Sequence, residues 1–150
     1  EINKISSELG VSRPTIYSYL SFLQGTYFIY LVTPFTKNID REVSGTKKIY
    51  ICDNGILNHF SRVSLGSLLE NAVFLNLKKY DEIKYYQKRK GPEIDFILIN
   101  NSAGFEVKET ANLKEYKRLK KTADLLGLKE FYIVANNFST EQGILTAQDI

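Results

Sequence analysis

The sequence predicts an α/β protein in which two helices and two strands precede a mixed sheet flanked by helices. Apolar residues recur at helical spacing over the first 24 positions, and strand-like runs alternate with helical patterns after position 65. Turns rich in Gly, Pro and Asn separate these runs. Of the 150 residues, 43% are hydrophobic, which is enough for a core and argues against disorder.

Residues 2–24 predict two short helices joined by a tight turn. Gly10 suits a left-handed turn that ends the first helix, Ser12 is a good N-cap for the second, and Pro14 fits its first turn. This is the layout of a helix-turn-helix, whose second helix makes base or phosphate contacts with its exposed early part. The expected nucleic-acid contacts are Arg13, Thr15, Tyr17 and Ser18.

Two strands are predicted after the helices, at 27–32 and 49–52, with a polar stretch between them. Residues 1–64 are therefore expected to form a winged helix-turn-helix domain. A second domain is expected at 65–150, with the boundary near Ser61 to Ser67. Its predicted elements are a helix at 65–80, strands at 83–87, 94–99 and 104–108, a helix at 112–127 stopped by Gly127, and a strand at 131–135.

An acid on one predicted strand faces a Glu-x-Lys on the next. Side chains alternate along a strand, so Glu106 and Lys108 point the same way. A turn of two or four residues, centred on 100–101 or 101–102, places Asp95 opposite one of them and all three on one face. Two acids and a lysine among apolar neighbours are costly to bury without a partner. A divalent metal and a phosphate would supply that partner, which predicts metal-dependent chemistry on nucleic acid.

Glu70 adds a further acid on the helix that precedes these strands. On a helical wheel it falls between Phe74 and Leu77, in an arc that excludes Asn71 and Lys78. A carboxylate on the inward face of a helix needs a reason, and the acidic strand pair offers one.

This order of helix acid, strand acid and Glu-x-Lys resembles the PD-(D/E)XK nuclease superfamily, which has the restriction-endonuclease-like fold. The resemblance implies that Asp95, Glu106 and the main-chain carbonyl of Val107 bind Mg²⁺ or Mn²⁺. It also implies that Lys108 orients or activates the attacking water and that Glu70 assists. Hard Mg²⁺ prefers carboxylate oxygens, and it neutralises phosphate charge.

One departure from the superfamily pattern concerns the residues before the strand acid. Pro92 precedes Asp95 by three residues rather than one, so the name-giving Pro-Asp is absent. Glu93 lies on the same predicted face as Asp95 and could compete as the acidic ligand.

A second resemblance covers nearly the whole chain, which is similar to the C-terminal region of certain prokaryotic AAA-type ATPases. It implies that the ATPase domain of the same full-length protein is a partner. The chain has no Gly-x4-Gly-Lys-Ser/Thr, so ATP binding through that motif is not expected here. Because the chain starts at Glu1 and contains no Met, we expect it to be a fragment. The segments that carry the resemblance are 48–57, 66–73, 85–87 and 91–96.

Composition narrows the function classes. The net charge is only +3, so a basic patch must be local. The chain has a single cysteine, which excludes an intrachain disulfide. It also has a single histidine, so a structural zinc site built from several Cys and His residues is excluded. No apolar run approaches a membrane span and no signal peptide opens the chain, so we expect a cytoplasmic protein without a membrane partner.

Two basic clusters are candidates for phosphate contacts. Lys88, Arg89 and Lys90 stand beside Tyr85 and Tyr86 in a predicted turn, which either grips a phosphate backbone or is a solvated hairpin tip. The predicted helix at 112–127 has a basic outer face that either flanks a substrate groove or is simply solvated. Its basic residues are Lys114, Lys117, Arg118, Lys120 and Lys121.

The leading hypothesis is therefore a C-terminal fragment of an AAA-type ATPase with a Mg²⁺-dependent DNA phosphodiesterase site. One alternative is a catalytically inactive module that binds DNA or protein, and another is a winged-helix transcriptional regulator. Since many nucleases of this fold act as dimers, the resemblance also implies that the chain can form a homodimer.

Overall fold

The structure is a computed structural model, and the residues that it describes are 2–36, 42, 45–88, 91–137, 139 and 141–150. This part of the chain is a mixed α/β fold with five helices, a two-stranded sheet and a five-stranded sheet. The α/β class predicted from the sequence is confirmed. Within the same residues, no helix is long and apolar enough to cross a membrane.

Two helices open the chain, α1 (Ile2–Leu9) and α2 (Arg13–Gly25). Gly10, between them, has the left-handed φ of 64° that the predicted turn requires. Ser12 is the N-cap of α2, and its side chain accepts a hydrogen bond from the Thr15 amide at 3.3 Å. A proline occupies the first turn, where its missing amide leaves no bond unmade. The two predicted helices and the tight turn between them are confirmed.

A pair of strands follows, β1 (Ile29–Val32) and β2 (Lys48–Ile51), which are antiparallel. The short helix α3 (Asn54–Phe60) begins directly after them. Asp53 is its N-cap and accepts from the Ile56 amide at 2.9 Å.

The larger sheet has the strand order β3-β4-β5-β6-β7. The first three strands are antiparallel neighbours, whereas β5, β6 and β7 run parallel. A helix connects β5 to β6, as a parallel crossover requires. The elements are α4 (Leu65–Leu77), β3 (Ile83–Gln87), β4 (Glu93–Leu98), β5 (Ala103–Lys108), α5 (Leu113–Leu126), β6 (Glu130–Ala135) and β7 (Ile144–Thr146).

The two longer helices of this half cover opposite faces of the sheet. On the α4 face, Phe74 and Leu77 pack in one buried cluster with Phe96. On the α5 face, Leu119 packs in a second buried cluster with Ile97. Because neighbouring residues of a strand point to opposite faces, Phe96 and Ile97 assign the helices to the two sides.

Strand β7 was not predicted. It continues the parallel register of β6, from Ile133 opposite Ile144 to Ala135 opposite Thr146. A run of three residues is too short for an alternating pattern to stand out in a sequence, so the predicted element order ended one strand early.

The segment before residue 65 packs directly on the larger sheet and on α4. The rings of Tyr50 and Phe74 stack with centroids 4.4 Å apart, and Val32 lies in the same buried cluster. The chain after β1 also pairs with β3, because the Tyr85 amide donates to Thr33 O at 3.1 Å. The predicted division into domains at 1–64 and 65–150 stays a prediction, and the two segments share a core.

This packing corrects one expectation about α4. Asn71 was placed outside the inward arc, but it is buried, with 2% of its surface exposed. Its amide side chain bonds to both main-chain groups of Ile51, at 2.8 and 3.0 Å, and to Asn54 at 2.8 Å. Lys78 similarly donates to the Tyr30 hydroxyl at 3.2 Å. A helical wheel assumes one buried face, whereas α4 is also covered by the preceding segment.

Candidate functional site

The predicted acidic strand pair is the β4–β5 hairpin. Its register places Phe96 opposite Phe105 and Leu98 opposite Ala103, with a four-residue turn centred on 100–101. The paired residues end at Phe96 and Phe105, and this is the register in which Asp95 was expected opposite Glu106. Of the two registers that the sequence allowed, the structure has this one.

The pairing of β4 with β3 is irregular at the strand acid. Lys84 is opposite Ile97 and Tyr86 is opposite Ile94, so two residues of β4 stand against one of β3. Such a β-bulge turns a side chain out of strict alternation, and bulges are common beside functional sites. The bulged residues are Asp95 and Phe96, opposite Tyr85. The bulge explains how Asp95 reaches a partner outside the sheet.

Asp95 and Glu70 share one cation, Lys48 of β2. The Lys48 Nζ lies 2.7 Å from Asp95 Oδ1 and 3.1 Å from Glu70 Oε1. The Tyr50 hydroxyl donates to the same Glu70 oxygen at 2.7 Å, and the Val107 amide donates to Asp95 Oδ2 at 3.0 Å. We call the contact of the Lys48 ammonium with both carboxylates the Lys48 bridge. Both oxygens of Asp95 are thus satisfied within the protein.

The Lys48 bridge also determines the charge states of its members. Burial acts to lower the pKa of Lys48, but the charges of Asp95 and Glu70 outweigh it and hold the pKa above its ordinary value. Burial raises the pKa of Tyr50, and the charge of Glu70 raises it further. At neutral pH, Lys48 is therefore an ammonium ion and Tyr50 a neutral phenol that can donate its proton in a hydrogen bond.

The second charged pair is local to β5. Lys108 Nζ lies 2.9 Å from Glu106 Oε1, and the Glu106 side chain is only 6% exposed. Strand alternation places the pair on the face opposite Phe105 and Val107, which belong to the buried cluster around Phe74. Glu106 and Lys108 thus lie on one face, as predicted from their spacing.

Burial and the ion pair act in opposite directions on both pKa values of this pair. It raises the pKa of Glu106, although the hydrogen bond and charge of Lys108 oppose the shift. Burial acts to lower the pKa of Lys108, but the hydrogen bond and charge of Glu106 outweigh it, so that pKa is raised. Lys108 is therefore protonated at neutral pH and acts as a hydrogen-bond donor.

The four predicted catalytic residues form two ion-paired groups. The Lys48 bridge joins Glu70 and Asp95, while Glu106 pairs with Lys108. The charge of Asp95 acts on the pKa values of both Glu106 and Lys108, so the groups adjoin along the β4–β5 pair. Among the described residues, no three Asp, Glu, His or Cys side chains form a group that could hold a metal ion.

The donor chemistry nevertheless fits the predicted Mg²⁺ or Mn²⁺. Asp95, Glu106 and the Val107 carbonyl would offer two carboxylates and a main-chain oxygen, which are the donors that hard cations prefer. Each carboxylate has a lysine as its positive partner, so a divalent cation would replace charge that ammonium groups supply. Glu93, the alternative acid, is half-buried and accepts from Gln87 at 3.4 Å.

Sequence reasoning missed Lys48 and Tyr50 as members of the site. They are two residues apart on β2, so they share a face of that strand. This spacing is a visible signal, but nothing local shows that the face lies against Glu70 and Asp95. Lys48 also stands over the ring of Tyr85, 5.5 Å from its centroid, at the position opposite the bulge.

The predicted nucleic-acid contacts on α2 lie apart from the acids, on a helix that packs against α1 and β1. Arg13 and Tyr17 are exposed. Ser18 is exposed and donates to Pro14 O at 3.0 Å, whereas the half-buried Thr15 shares a hydrogen bond with the Ser12 hydroxyl. The hydroxyl groups of Thr15 and Ser18 thus already have partners at the N-cap and in the first turn of α2.

The basic turn after β3 is only partly described. Lys88 is exposed, while Arg89 and Lys90 lie outside the described residues. Tyr85, which was expected beside this turn, is buried and donates to the Thr46 carbonyl, so its ring packs inside the protein. Tyr86 is half-buried and packs against the cluster on the α5 face.

The outer face of α5 carries a basic hollow of about 570 Å³. Arg118 lies close enough to the β5 pair for its charge to lower the pKa of Glu106. The charge of Arg118 therefore links this part of α5 to the Glu106–Lys108 pair. Its lining residues are Leu113, Lys114, Lys117, Arg118 and Lys121.

Two family models match the chain. Residues 1–67 match a domain of unknown function, DUF8612, and residues 65–146 match a second domain of unknown function, DUF4143. The second is a domain found in proteins associated with AAA-type ATPases. No curated protein and no solved structure matches the chain. The candidate site takes Glu70, Asp95 and the β5 pair from the second matched segment and Lys48 from the first.

Proposed function

The chain belongs to the DUF4143 family, and we propose that it is the C-terminal part of an AAA-type ATPase with a Mg²⁺-dependent DNA phosphodiesterase site. The observation that carries the proposal is the pair of buried carboxylates on neighbouring strands. Asp95 and Glu106 are 6% and 4% exposed, and each is held by a lysine. Buried acids that are paired with cations and adjoin one another are more typical of a functional site than of a core.

The element order supports the fold that this function needs. A helix bearing Glu70, three antiparallel strands, a helix and a parallel strand follow in the order expected for a PD-(D/E)XK nuclease domain. The preceding helix–turn–helix and antiparallel strand pair have the layout of a winged helix. We propose both assignments as the finer description of the α/β fold.

In this function, Asp95, Glu106 and the Val107 carbonyl would hold the metal ion, which would supply phosphate neutralisation and a more acidic bound water. Lys108 remains protonated and donates hydrogen bonds, so it orients a water molecule or a phosphate oxygen rather than accepting a proton. Glu70 supports Asp95 through their shared lysine.

DNA is the proposed substrate because cationic groups lie on the same side as the β5 pair. The α5 hollow contributes Lys114, Lys117, Arg118 and Lys121, which can contact successive phosphates. Arg13 and Tyr17 on α2, together with Lys88, are the further proposed contacts to nucleic acid.

A second candidate function is a binding module without catalysis. The Lys48 bridge favours it, because it satisfies Asp95 and Glu70 with no added cation. In this function, the module would bind DNA or the ATPase domain, and the acids would be structural.

Calorimetric titration with Mg²⁺ and Mn²⁺ tests the proposal. The native chain should bind, and both Asp95→Asn and Glu106→Gln should abolish binding, whereas the exposed-surface control Asp124→Asn should bind as the native chain does. Cleavage of duplex, single-stranded and branched DNA should then follow the same pattern. No metal binding by the native chain, after its folding is verified by circular dichroism, would leave the binding module as the function.

A further inference from the structure

Lys48 lies where the two matched segments meet, and its position is fixed from several directions. It belongs to β2, opposite Val32 in the two-stranded sheet. Its ammonium group contacts one oxygen of Glu70 on α4 and one oxygen of Asp95 on β4. Tyr50, on the same face of β2, packs against Phe74 and bonds the same Glu70 oxygen. A surface ion pair would lack this packing.

The Lys48 bridge performs the electrostatic task of a bound cation. Asp95 is largely buried and stands beside Glu70 and Glu106, so ionised carboxylates at these positions repel one another unless a positive group lies between them. Lys48 supplies one such charge, at 2.7 Å from an oxygen that a metal ion would need. An ammonium group and a divalent cation repel, and cannot both occupy that contact.

We infer that Lys48 is the resident counter-cation of Asp95 and Glu70, and that a divalent cation must displace it to bind Asp95. The inference rests on the proposed function, and it adds a residue from the segment outside the DUF4143 match. Metal entry is then coupled to the position of β2.

The test compares Mn²⁺ affinity by calorimetry in five folded proteins. Besides the native chain, these are Lys48→Met, Lys48→Arg, the double variant Lys48→Met with Glu70→Gln, and the exposed-lysine control Lys4→Met. The double variant removes one charge of each sign, so it remains available if Lys48→Met alone does not fold. Removing the competing ammonium should tighten Mn²⁺ binding by about tenfold or more, which corresponds to 1.4 kcal/mol or more.

Lys48→Arg should bind as weakly as the native chain, because it keeps the charge, and Lys4→Met should leave the affinity unchanged. A purely structural lysine would give the opposite result, since its loss would disorder the acids and weaken binding. If Asp95→Asn abolishes binding but Lys48→Met and the double variant bind no more tightly than the native chain, the inference fails and the metal site stands. If none of these proteins binds Mn²⁺, the proposed function fails and the inference fails with it.

Discussion

The Lys48 bridge and the Glu106–Lys108 pair adjoin each other but are built in different ways. Glu106 and Lys108 are two residues apart on one strand, so any straight strand brings them together. Lys48 is separated by 22 residues from Glu70 and by 47 from Asp95, and their contact exists only when β2 lies against α4 and β4. The comparison shows that one half of the site is local, whereas the other half depends on how two segments pack.

The largest expected effect is the loss of the long-range group. Lys48→Met leaves Asp95 and Glu70 without their cation, and removal of one partner of a largely buried ion pair costs about 3 kcal/mol. The free energy of unfolding, measured by urea denaturation at neutral pH, should fall by about this amount. The exposed Lys4–Glu8 pair is the control, because Lys4→Met should cost less than about 0.5 kcal/mol.

A loss below about 1 kcal/mol for Lys48→Met would contradict this prediction. It would show that the bridge is as weak as a solvated surface pair. In that case, the packing of Tyr50 on Phe74 would be what holds β2 against α4.

A smaller effect is expected where the same two segments are joined without charge. Asn71→Ala removes the side-chain bonds to Ile51 and Asn54 and leaves the half-buried main-chain groups of Ile51 without these partners. We expect a loss of about 2 kcal/mol in the free energy of unfolding. The exposed Asn137→Ala is the matched control. Equal stability of the two variants would show that this junction contributes nothing measurable.

The smallest effect concerns the local pair and depends on pH. Because the pKa of Glu106 is raised above its ordinary 4.5 in the folded protein, the folded state holds this proton more tightly than the unfolded state. Ionised Glu106 therefore costs stability. This cost is absent below pH 4.5, grows as the pH rises from 4.5 to the raised pKa of the folded protein, and is constant above that pKa. The unfolding free energy of the native chain minus that of Glu106→Gln should fall across this window and then level off.

Urea denaturation of both proteins at a series of pH values measures this difference. Lys48 provides the contrasting case, since a raised lysine pKa means that its stabilisation is complete below pH 10.5 and is lost as the pH rises beyond. If the unfolding free energies of the native chain and Glu106→Gln differ by the same amount at every pH, burial does not raise the pKa of Glu106. The Lys48 bridge and the Glu106–Lys108 pair would then differ only in how far apart their members lie in the sequence.

Most local structure could be predicted because its causes are local. Gly10 has the positive φ expected of the turn, Ser12 caps α2, and Gly127 ends α5 with a φ of 73°. The register of the β4–β5 hairpin was one of two that its turn allows. In each case the interaction that decides the structure joins residues only a few positions apart, so the local sequence is enough to predict it.

The misses share a different physical origin. Asn71 and Lys78 were read as outside the buried arc of α4 because a wheel cannot show a second covered side. Lys48 and Tyr50 were overlooked because their partners are distant in the chain, and β7 because three residues carry too little pattern.

The sequence by itself determined the α/β class, the order of most elements and the shared strand face of Glu106 and Lys108, because propensity, caps and alternation act over a few residues. Only the tertiary structure decided that a bulge turns Asp95 toward Lys48, and that residues on both sides of position 65 complete one charged site. Burial is the reason. A buried carboxylate needs a positively charged partner, and that partner comes from the helices and strands packed around it. No single segment of the sequence shows which residue this will be.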